Sequence, residues 1–457
     1  MGANRPANQK PRGLWLPIIF FQIYLNISVF LFAFGPWPWP ISNPVELYSF
    51  LTASHILLAL GYYSGHKKAL RSRLVTSKSK IDWLRISLIL NLVMLLPSSF
   101  SRTGTFLPNI MFGLAAPGEA YQNAVERSFS GGPWVIIEYI RIILAPLLAL
   151  SFPFVVATWQ KRTTNEKLCC AFIILFNISM YISMGTNKTI VDTVLLVPWL
   201  MALAIASRHL ILNKKQKTIL ALASLTAMFG AFIFFGYGQT QRSGGVASGR
   251  TFGPPIFIEP DPDNWMTYAM PEQYQIYVES LLGYLCQGYY ALSRAMLLDF
   301  ESTFGVGNSI FLSRAATSLT GMVELGTHTY PARLEAAEGW GELTLWHSIY
   351  TWIASDVGFA GTLLIVFFIG RYLAMSWIYA ILYTDKLSIL LFTYLTIMLL
   401  YFPANNQLMQ NGESCMGFLL TLFLWLLFTG PLMKEIKKIR KMQILKRQKK
   451  IPRLPKI

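Results

Sequence analysis

Residues 330–370 read YPARLEAAEGWGELTLWHSIYTWIASDVGFAGTLLIVFFIG and pass from a charged segment into a continuous apolar run. The titratable groups before the run include Arg333, Glu335, Glu338, Glu342 and His347. No ionisable side chain lies between Asp356 and Arg371. Such a run is long enough to cross about 30 Å of hydrocarbon as a helix. The stretch therefore predicts a membrane helix with titratable groups gathered at its mouth.

The composition extends this prediction to the whole chain of 457 residues, of which 54% are hydrophobic and 13% charged. Soluble domains usually contain about a quarter charged residues. Because lipid cannot satisfy exposed backbone amides, we expect an all-α polytopic membrane protein. About ten spans are predicted, or up to twelve if the large loop adds a re-entrant pair. The spans lie near residues 14–34, 47–65, 83–100, 134–158, 168–184, 190–206, 218–236, 357–380, 387–403 and 415–433.

The cations are distributed unequally between the two sets of span ends. Of the 39 Lys and Arg, 28 lie beside one set of ends or in the terminal segments. By the positive-inside rule that side is cytoplasmic, and both termini lie there. The formal net charge of +17 follows from this distribution. No nucleic-acid recognition motif accompanies the charge, so we expect the lipid bilayer, and not nucleic acid, as its partner.

The spans and loops divide the chain into four parts. We expect an N-terminal bundle of about seven helices at 1–236, a large periplasmic loop at 237–356, C-terminal membrane helices at 357–433 and a basic cytoplasmic tail at 434–457. A long structureless connection is improbable in a compact protein. The large loop is therefore predicted to be folded and to carry catalytic and substrate-binding residues.

Arginine dominates the cations predicted to lie outside the cytoplasm. A guanidinium binds phosphate through two parallel hydrogen bonds and stays charged in any environment. The candidate ligands of a phosphate group are Lys188, Arg242, Arg250, Arg294, Arg314 and Arg333. The alternative for each arginine is an ordinary salt bridge with an acidic residue of the loop.

One titratable group before the eighth span is a candidate general base. Histidine accepts a proton near neutral pH, and a carboxylate does so when partial burial raises its pKa. The candidates, in order, are His347, Glu342, Glu338 and His328. Tyr350 lies close to His347 in the sequence and offers a ring to a sugar or to the membrane interface. An interfacial histidine bonded to backbone is the alternative for His347.

Two pairs of opposite charge lie inside predicted spans. Glu138 and Arg141 are three residues apart, and Lys188 and Asp192 are four apart. These spacings place both members on one helix face, where they can neutralise each other. Each pair can be interpreted as part of a functional site or as a purely structural contact that holds two helices together.

Metal and nucleotide chemistry have no support in the sequence. The histidines, cysteines and carboxylates show no metal-ligand spacing, and no Gly-rich phosphate loop is present. We therefore expect no metal and no cofactor.

Four motifs make the chain resemble the Wzy-type oligosaccharide repeat-unit (O-antigen) polymerases, which are related to O-antigen ligases. The motifs are GTNKT at 185–189, QTQRSGG at 239–245, LCQGYYALSRAM at 285–296 and WHSIYTWIASDVGFAGTLLIVFFIG at 346–370. They cover about residues 180–375, and the topology covers the whole chain. Where family members often carry an arginine in the first motif, this chain has Lys188.

The resemblance implies a GT-C-like glycosyltransferase in the bacterial inner membrane. Such an enzyme transfers a growing glycan from undecaprenyl pyrophosphate onto a lipid-linked repeat unit at the periplasmic face, without a metal. Its partners would be the lipid-linked donor and acceptor, with a chain-length regulator as a candidate protein partner. The alternatives are an O-antigen ligase and a polysaccharide or lipid transporter.

The cation asymmetry predicts that the large loop is accessible from outside the cytoplasm. In a cysteine-free variant, a single cysteine replacing Gly244 should react with a membrane-impermeant maleimide from the periplasmic side. A cysteine replacing Ser79, in a loop predicted to be cytoplasmic, is the matched control and should stay protected. Reaction at Ser79 and protection at Gly244 would reverse the topology.

Overall fold

The computed structural model describes residues 13–71, 81–242 and 257–429. Within these residues the chain is helical and contains no extended strand. Among the described residues, nine helices are long and apolar enough to cross a membrane, so the chain is a multi-pass membrane protein. They are α1 (Leu16–Phe34), α2 (Pro44–Arg71), α3 (Trp83–Thr103), α6 (Val135–Ala157), α7 (Thr164–Ser183), α8 (Lys188–Ala206), α9 (Lys214–Arg242), α15 (Ile349–Tyr383) and α17 (Gly412–Thr429).

The tenth predicted span is a shorter helix. Residues 387–403 correspond to α16 (Lys386–Leu400), whose 15 residues give a length of about 22 Å. Every residue from Ser388 to Leu399 is buried, so α16 runs through the middle of the bundle. Since α16 is shorter than the hydrocarbon, the irregular segment 401–411 that follows lies within the bundle as well.

Short helices fill the loops at the other end of the bundle from the basic clusters. The loop after α3 forms α4 (Ile110–Ala115) and α5 (Pro117–Phe129). The described part of the large loop forms α10 (Trp265–Ala269), α11 (Glu272–Ala295), α12 (Ile310–Thr320), α13 (Glu324–Thr327) and α14 (Tyr330–Glu338). Gly339 adopts a positive φ of 71° and ends α14, so this helix does not continue into α15.

The long helix α11 joins the large loop to the membrane helices. Its Tyr289 hydroxyl is 2.9 Å from the Ser28 hydroxyl of α1. Trp37, just after α1, donates its indole N–H to the Glu279 carbonyl at 2.8 Å. Further along, the Ser348 amide donates to the Gly288 carbonyl at 3.3 Å. These contacts hold the module of α10–α14 against the ends of α1 and α15.

Asp356 organises the loop where α15 enters the bundle. Its Oδ1 accepts the amides of Gly305 at 3.0 Å and Gly307 at 2.8 Å. Its Oδ2 accepts both N–H groups of Asn308, at 3.0 Å from the backbone and 2.6 Å from the side chain. Two residues later Gly358 breaks the helix with φ 69° and ψ 174°, a conformation that a side chain would strain. In the Asp-x-Gly sequence the aspartate thus fixes the loop at residues 305–308, and the glycine kinks α15.

Helices α2 and α15 approach each other more closely than side chains allow. A Cβ on Gly61 would lie 1.9 Å from the Phe367 carbonyl oxygen, and one on Gly370 would lie 2.1 Å from that of Leu58. Gly61 and Gly65 form a GxxxG spacing, which lets membrane helices pack with their backbones in contact. This contact is the most extensive helix pair of the fold and positions the entrance of α15.

A methyl group at this contact should destabilise the protein. We expect Gly61→Ala and Gly370→Ala to lower the free energy of unfolding by about 1–3 kcal/mol each, because overpacking forces the two backbones apart. The check is the melting temperature of the detergent-purified variants. Gly230→Ala on α9 is the control, since a Cβ there has nothing within 4 Å. Equal melting temperatures in all three variants would contradict this account of the packing.

Candidate functional site

Four charged side chains from three helices form an ion network at one end of the bundle. Arg102 at the end of α3 binds Glu138 at the start of α6 through Nε at 3.2 Å and Nη2 at 2.9 Å. Arg102 Nη2 also lies 3.0 Å from Glu413 Oε2 at the start of α17. Arg141 of α6 binds Glu413 at 2.7 Å and the Ser98 hydroxyl at 2.6 Å. Glu413 is therefore shared by two guanidiniums.

This network corrects the pairing expected within α6. Glu138 and Arg141 were predicted to neutralise each other, but each binds a residue of another helix. Charge-assisted bidentate pairs are the strongest hydrogen bonds available to these groups, and the two guanidiniums reach such partners across the bundle. Glu138 and Arg141 therefore join α6 to α3 and α17, and they do not form a pair within one helix.

A second charged pair starts α8, as predicted. Lys188 Nζ lies 3.0 Å from Asp192 Oδ2. The Tyr401 hydroxyl, from the segment after α16, donates to the other carboxylate oxygen at 2.8 Å. An ammonium has three donors, and one of those of Lys188 is used by Asp192. The Lys188 head group therefore keeps donors for a further acceptor.

A charged cavity of about 310 Å³ lies between α3, α6, α7, α8, α16 and α17. Its walls include both ion clusters and reach the amides of Asn91 and Asn177, well inside α3 and α7. The charged residues that line it are Arg102, Arg141, Lys188, Asp192 and Glu413. The charges in this wall are matched by nearby partners of opposite sign, so the cavity is polar without a large net charge.

An amphiphilic cavity of about 380 Å³ lies beside it, between α8, α9, α11 and the segment after α16. Most of its wall is apolar and includes Val191, Leu195, Phe232, Phe235 and Leu281. Its polar end is formed by Asn187, Lys188, Gln239 and Gln407, with Tyr121, Tyr284 and Trp346 as aromatic neighbours. An apolar chamber with a cation at one end suits an amphiphile with an anionic head group.

Lys188 and Gln407 line both cavities. Gln407 belongs to the irregular segment 401–411, which forms the partition between the cavities. Irregular backbone at this depth is tolerated where it is buried in protein or lines a cavity. The segment is held by Trp352, whose indole donates to Asn405 at 3.0 Å, and by Asn406, which donates to the Asn308 carbonyl at 2.8 Å.

His347, the first candidate base, is fully buried in the structure. Its Nε2 lies 3.3 Å from the Gly341 carbonyl oxygen, and its Nδ1 has no hydrogen-bond partner among the described residues. Burial lowers the pKa of the imidazole to about 3, and the bond to Gly341 opposes this only in part. His347 lines neither cavity. In this conformation it is a neutral core residue and does not meet a substrate.

Glu342, the second candidate, is half-buried and, like His347, lines neither of the two cavities. The Thr329 hydroxyl donates to its Oε1 at 3.1 Å. Its backbone amide donates to Glu335 Oε2 at 2.8 Å. Burial raises the pKa of the Glu342 carboxyl, the neighbouring Glu335 adds to this, and Thr329 and Arg314 oppose it. A carboxylate whose pKa is raised toward neutrality suits acid–base work.

The other candidates mostly form ion pairs within the large loop. Arg294 binds Glu338 at 2.6 Å, which occupies both a predicted phosphate ligand and a predicted base. Arg333 lies 3.1 Å from Glu301, and His328 lies 3.4 Å from the same carboxylate. For Arg294 and Arg333 the salt-bridge interpretation describes the observed contacts.

Four further candidates fall elsewhere. Arg314 is exposed and has no ion-pair partner among the described residues. Tyr350 is buried against Phe50 and Phe402, with ring centroids 5.5 Å and 5.1 Å away. The side chain of Arg242 and the whole of Arg250 lie outside the described residues. Their predicted roles in phosphate binding stay predictions.

Sequence reasoning missed the ion network as a unit. Arg102, Arg141 and Glu413 lie on helices that are far apart in the chain, so no spacing rule connects them. The available signal was a carboxylate, Glu413, at the mouth of the last apolar run, the same pattern that marked the eighth span. An intramembrane charge on one helix implies a partner on another.

Comparisons with protein-family models, with curated proteins and with solved structures return no match for this chain. The function is therefore argued from the site alone.

Burial of His347 predicts an acid-sensitive stability. The unfolded imidazole titrates near pH 6.5 and the folded one at about 3, so the unfolded chain binds the proton first as pH falls. The contribution of the neutral His347 imidazole to the free energy of unfolding is complete above about pH 6.5. Below that pH it declines by about 1.4 kcal/mol per pH unit. Melting temperatures of the purified protein should fall less steeply between about pH 7 and pH 5 in His347→Gln than in the wild type.

Leu343→Gln is the control for this measurement. Leu343 is 57% exposed and neither leucine nor glutamine titrates, so the slope of melting temperature against pH should match that of the wild type. If His347→Gln and the wild type show parallel slopes, the buried imidazole is not the source of the acid sensitivity.

Proposed function

We propose that the protein is a membrane glycosyltransferase that acts on polyprenyl-pyrophosphate-linked oligosaccharides, of the Wzy-type polymerase class with a GT-C-like fold. The observation that carries the proposal is the amphiphilic cavity with Lys188 at its polar end. A lipid-linked glycan consists of an apolar chain, an anionic pyrophosphate and a sugar, in that order. The cavity presents an apolar wall, a cation and aromatic rings in the same order. The folded module of α10–α14 lies beside the polar end, where the sugar would emerge.

Different side chains around the cavity would contact different parts of the substrate. The apolar wall of α8, α9 and α11 would receive part of the polyprenyl chain. Lys188 and the amides of Asn187 and Gln407 would contact the pyrophosphate oxygens. Trp346 and Tyr284, whose rings meet edge to face at 4.7 Å, offer aromatic surface to a sugar ring.

Access from the bilayer is compatible with the packing of α9. The outer half of this helix contacts α11 through Phe232 on Tyr277 at 6.2 Å and Phe235 on Tyr284 at 5.4 Å. Its other half, from Lys214 to Gly230, is almost entirely exposed. A lipid could therefore reach the cavity between α8 and α9 without unfolding the bundle.

The proposed reaction breaks one bond and forms one. A hydroxyl of the acceptor unit attacks the anomeric carbon of the donor glycan, and the bond from that carbon to the pyrophosphate oxygen breaks. The hydroxyl proton passes to a general base, for which Glu342 is now preferred to His347. Lys188 would stabilise the polyprenyl pyrophosphate as it leaves with the bond electrons. The charge of Arg314 lowers the pKa of Glu342, so Arg314 acts near this carboxyl. Arg314 is therefore the second cation that can stabilise charge in this step.

The proposal places the protein in a bacterial cytoplasmic membrane with both termini inside. The support is the distribution of Lys and Arg, since the ion network and Lys188 lie at the helix ends opposite to the basic loops. The substrate would then be bound at the periplasmic face, with the lipid bilayer as its source.

Two alternatives share parts of the site. An O-antigen ligase would use the same cavity and differ in its acceptor. A transporter is favoured by one observation, the charged cavity that reaches Asn91 and Asn177 inside the bundle. Polar groups deep in a membrane protein often line a transport path.

Loss of the gene should leave single repeat units on the lipid anchor and abolish the polymer ladder on surface-glycan gels. Restoring the gene with Lys188→Gln or Glu342→Gln should leave the ladder strongly reduced. Removal of a general base typically costs about 10² to 10⁴ in rate. Lys167→Gln, at the other end of α7, is the matched control and should restore the ladder fully.

The possible outcomes separate the candidate functions. Complete loss of glycan from the final acceptor, with polymer retained on the lipid carrier, indicates a ligase. Repeat units trapped on the cytoplasmic side of the membrane indicate a transporter. An unchanged ladder in the deletion strain excludes all three functions for this glycan, and normal turnover of lipid-linked units by purified Glu342→Gln moves the base elsewhere.

A further inference from the structure

A third cavity, of about 390 Å³, lies between α1 and α2 and is lined by both apolar and polar side chains. Gln22 and Asn26 contribute from α1, and Thr52 and His55 from α2. It shares no lining residue with the charged or amphiphilic cavity. The proposed glycosyltransferase site therefore does not account for it.

These polar groups lie near the middle of the two membrane helices. Asn26 is about 12 Å of helix from the end of α1 at Phe34 and about 15 Å from its start at Leu16. Thr52 is about 12 Å from the start of α2 at Pro44. With a hydrocarbon core of about 30 Å, both residues fall close to the bilayer centre.

The same face is turned away from the bundle. Asn26 and Thr52 are both exposed. The neighbouring Ile23 and Ile27 of α1 are 57% and 51% exposed, and Ile56 of α2 is 54% exposed. A lipid-facing surface thus carries an amide and a hydroxyl among isoleucines.

The hydrogen bonds made by these groups leave capacity unused. Asn26 Nδ2 donates to the Gln22 carbonyl at 2.7 Å, a bond within its own helix. Among the described residues, the Asn26 Oδ1 and the Thr52 hydroxyl have no partner. His55 is 7% exposed, lines the cavity, and its Nε2 is buried without a partner. Hydrocarbon supplies no hydrogen bond, so each group has a free-energy cost until something polar covers it.

We infer that this α1–α2 face is the interface of a homodimer, with Asn26 at its centre. In a two-fold dimer about the membrane normal, Asn26 meets its own copy at the same depth. A carboxamide is both donor and acceptor, so two Asn26 side chains can satisfy each other, and each Thr52 hydroxyl can bond to a polar group across the interface. A second copy therefore supplies hydrogen-bond donors and acceptors at the required depth. An apolar helix or a lipid tail has none.

The apolar rim supports the same partner. Ile23, Ile27 and Ile56 would pack against their copies once the polar groups are paired, and van der Waals packing with interhelical hydrogen bonds drives association in lipid. The cavity between α1 and α2 offers a concave surface to a neighbouring helix. The amphiphilic cavity is lined mainly from α8, α9 and α11, so the dimer would leave it open.

The test is the stoichiometry of the full-length protein in liposomes, measured by single-molecule photobleaching at two protein-to-lipid ratios. We expect dimers for the wild type, and association weakened about tenfold or more by the double change Asn26→Leu and Thr52→Val. Ile143→Ala, which trims a side chain on the exposed face of α6 away from the proposed interface, is the control and should leave the wild-type stoichiometry unchanged. A photo-crosslinking amino acid at Ile23 should yield a dimer band, and one at Leu175 of α7 should not.

Three results would overturn the inference. They are a monomeric wild type at both ratios, dimers that the double change leaves intact, or crosslinks at Leu175 in place of Ile23. Correct folding of the double variant is checked by its gel-filtration profile and melting temperature, and both substitutions remove polar groups from lipid, so stability should hold or rise. Because the readout is association, loss of the glycosyltransferase proposal leaves this test intact.

Discussion

The sharing of the Glu413 carboxylate by Arg102 and Arg141 is the contact on which the arrangement of the bundle depends. Two guanidiniums and two carboxylates within the ends of membrane helices cannot remain unpaired, since each lone charge there is costly. The pairs bring α17, the last of the described helices, against α3 and α6, which belong to the first half of the chain. Removing one partner of such a pair costs more than the pair itself contributes, because the other charge stays behind.

The position of α17 in turn determines the path of the chain before it. Helix α16 has about 22 Å of length, so the chain must return to Glu413 through an irregular stretch inside the bundle. That stretch, 401–411, supplies Tyr401 to Asp192 and Gln407 to both cavities. The polar partition between the cavities thus follows from a short helix and a buried charge. The proposed pyrophosphate site at Lys188 sits where these constraints meet.

Sequence reasoning located the membrane helices well because lipid imposes a length and an apolar composition on each one. It also found Lys188 with Asp192, since both lie on one helix and spacing alone brings them together. It paired Glu138 with Arg141 wrongly, because partners on α3 and α17 are invisible to spacing. His347 was ranked first as a base on its chemistry, yet its burial depends on how segment 401–411 and α15 pack, which no local pattern encodes.

Polar groups inside the spans fall into two physical classes, and the distinction bears on function. Arg102 and Arg141 find partners on other helices, and Asp192 binds Lys188 of its own helix and Tyr401 of the segment after α16. The effect of these groups is to shape the bundle and its cavities. Asn26 and Thr52 face outward with hydrogen-bonding capacity unused. The first class is explained by the fold of one chain, whereas the second is explained only by something outside it. A membrane sequence therefore reports on association wherever its polar residues remain unsatisfied after the monomer has packed.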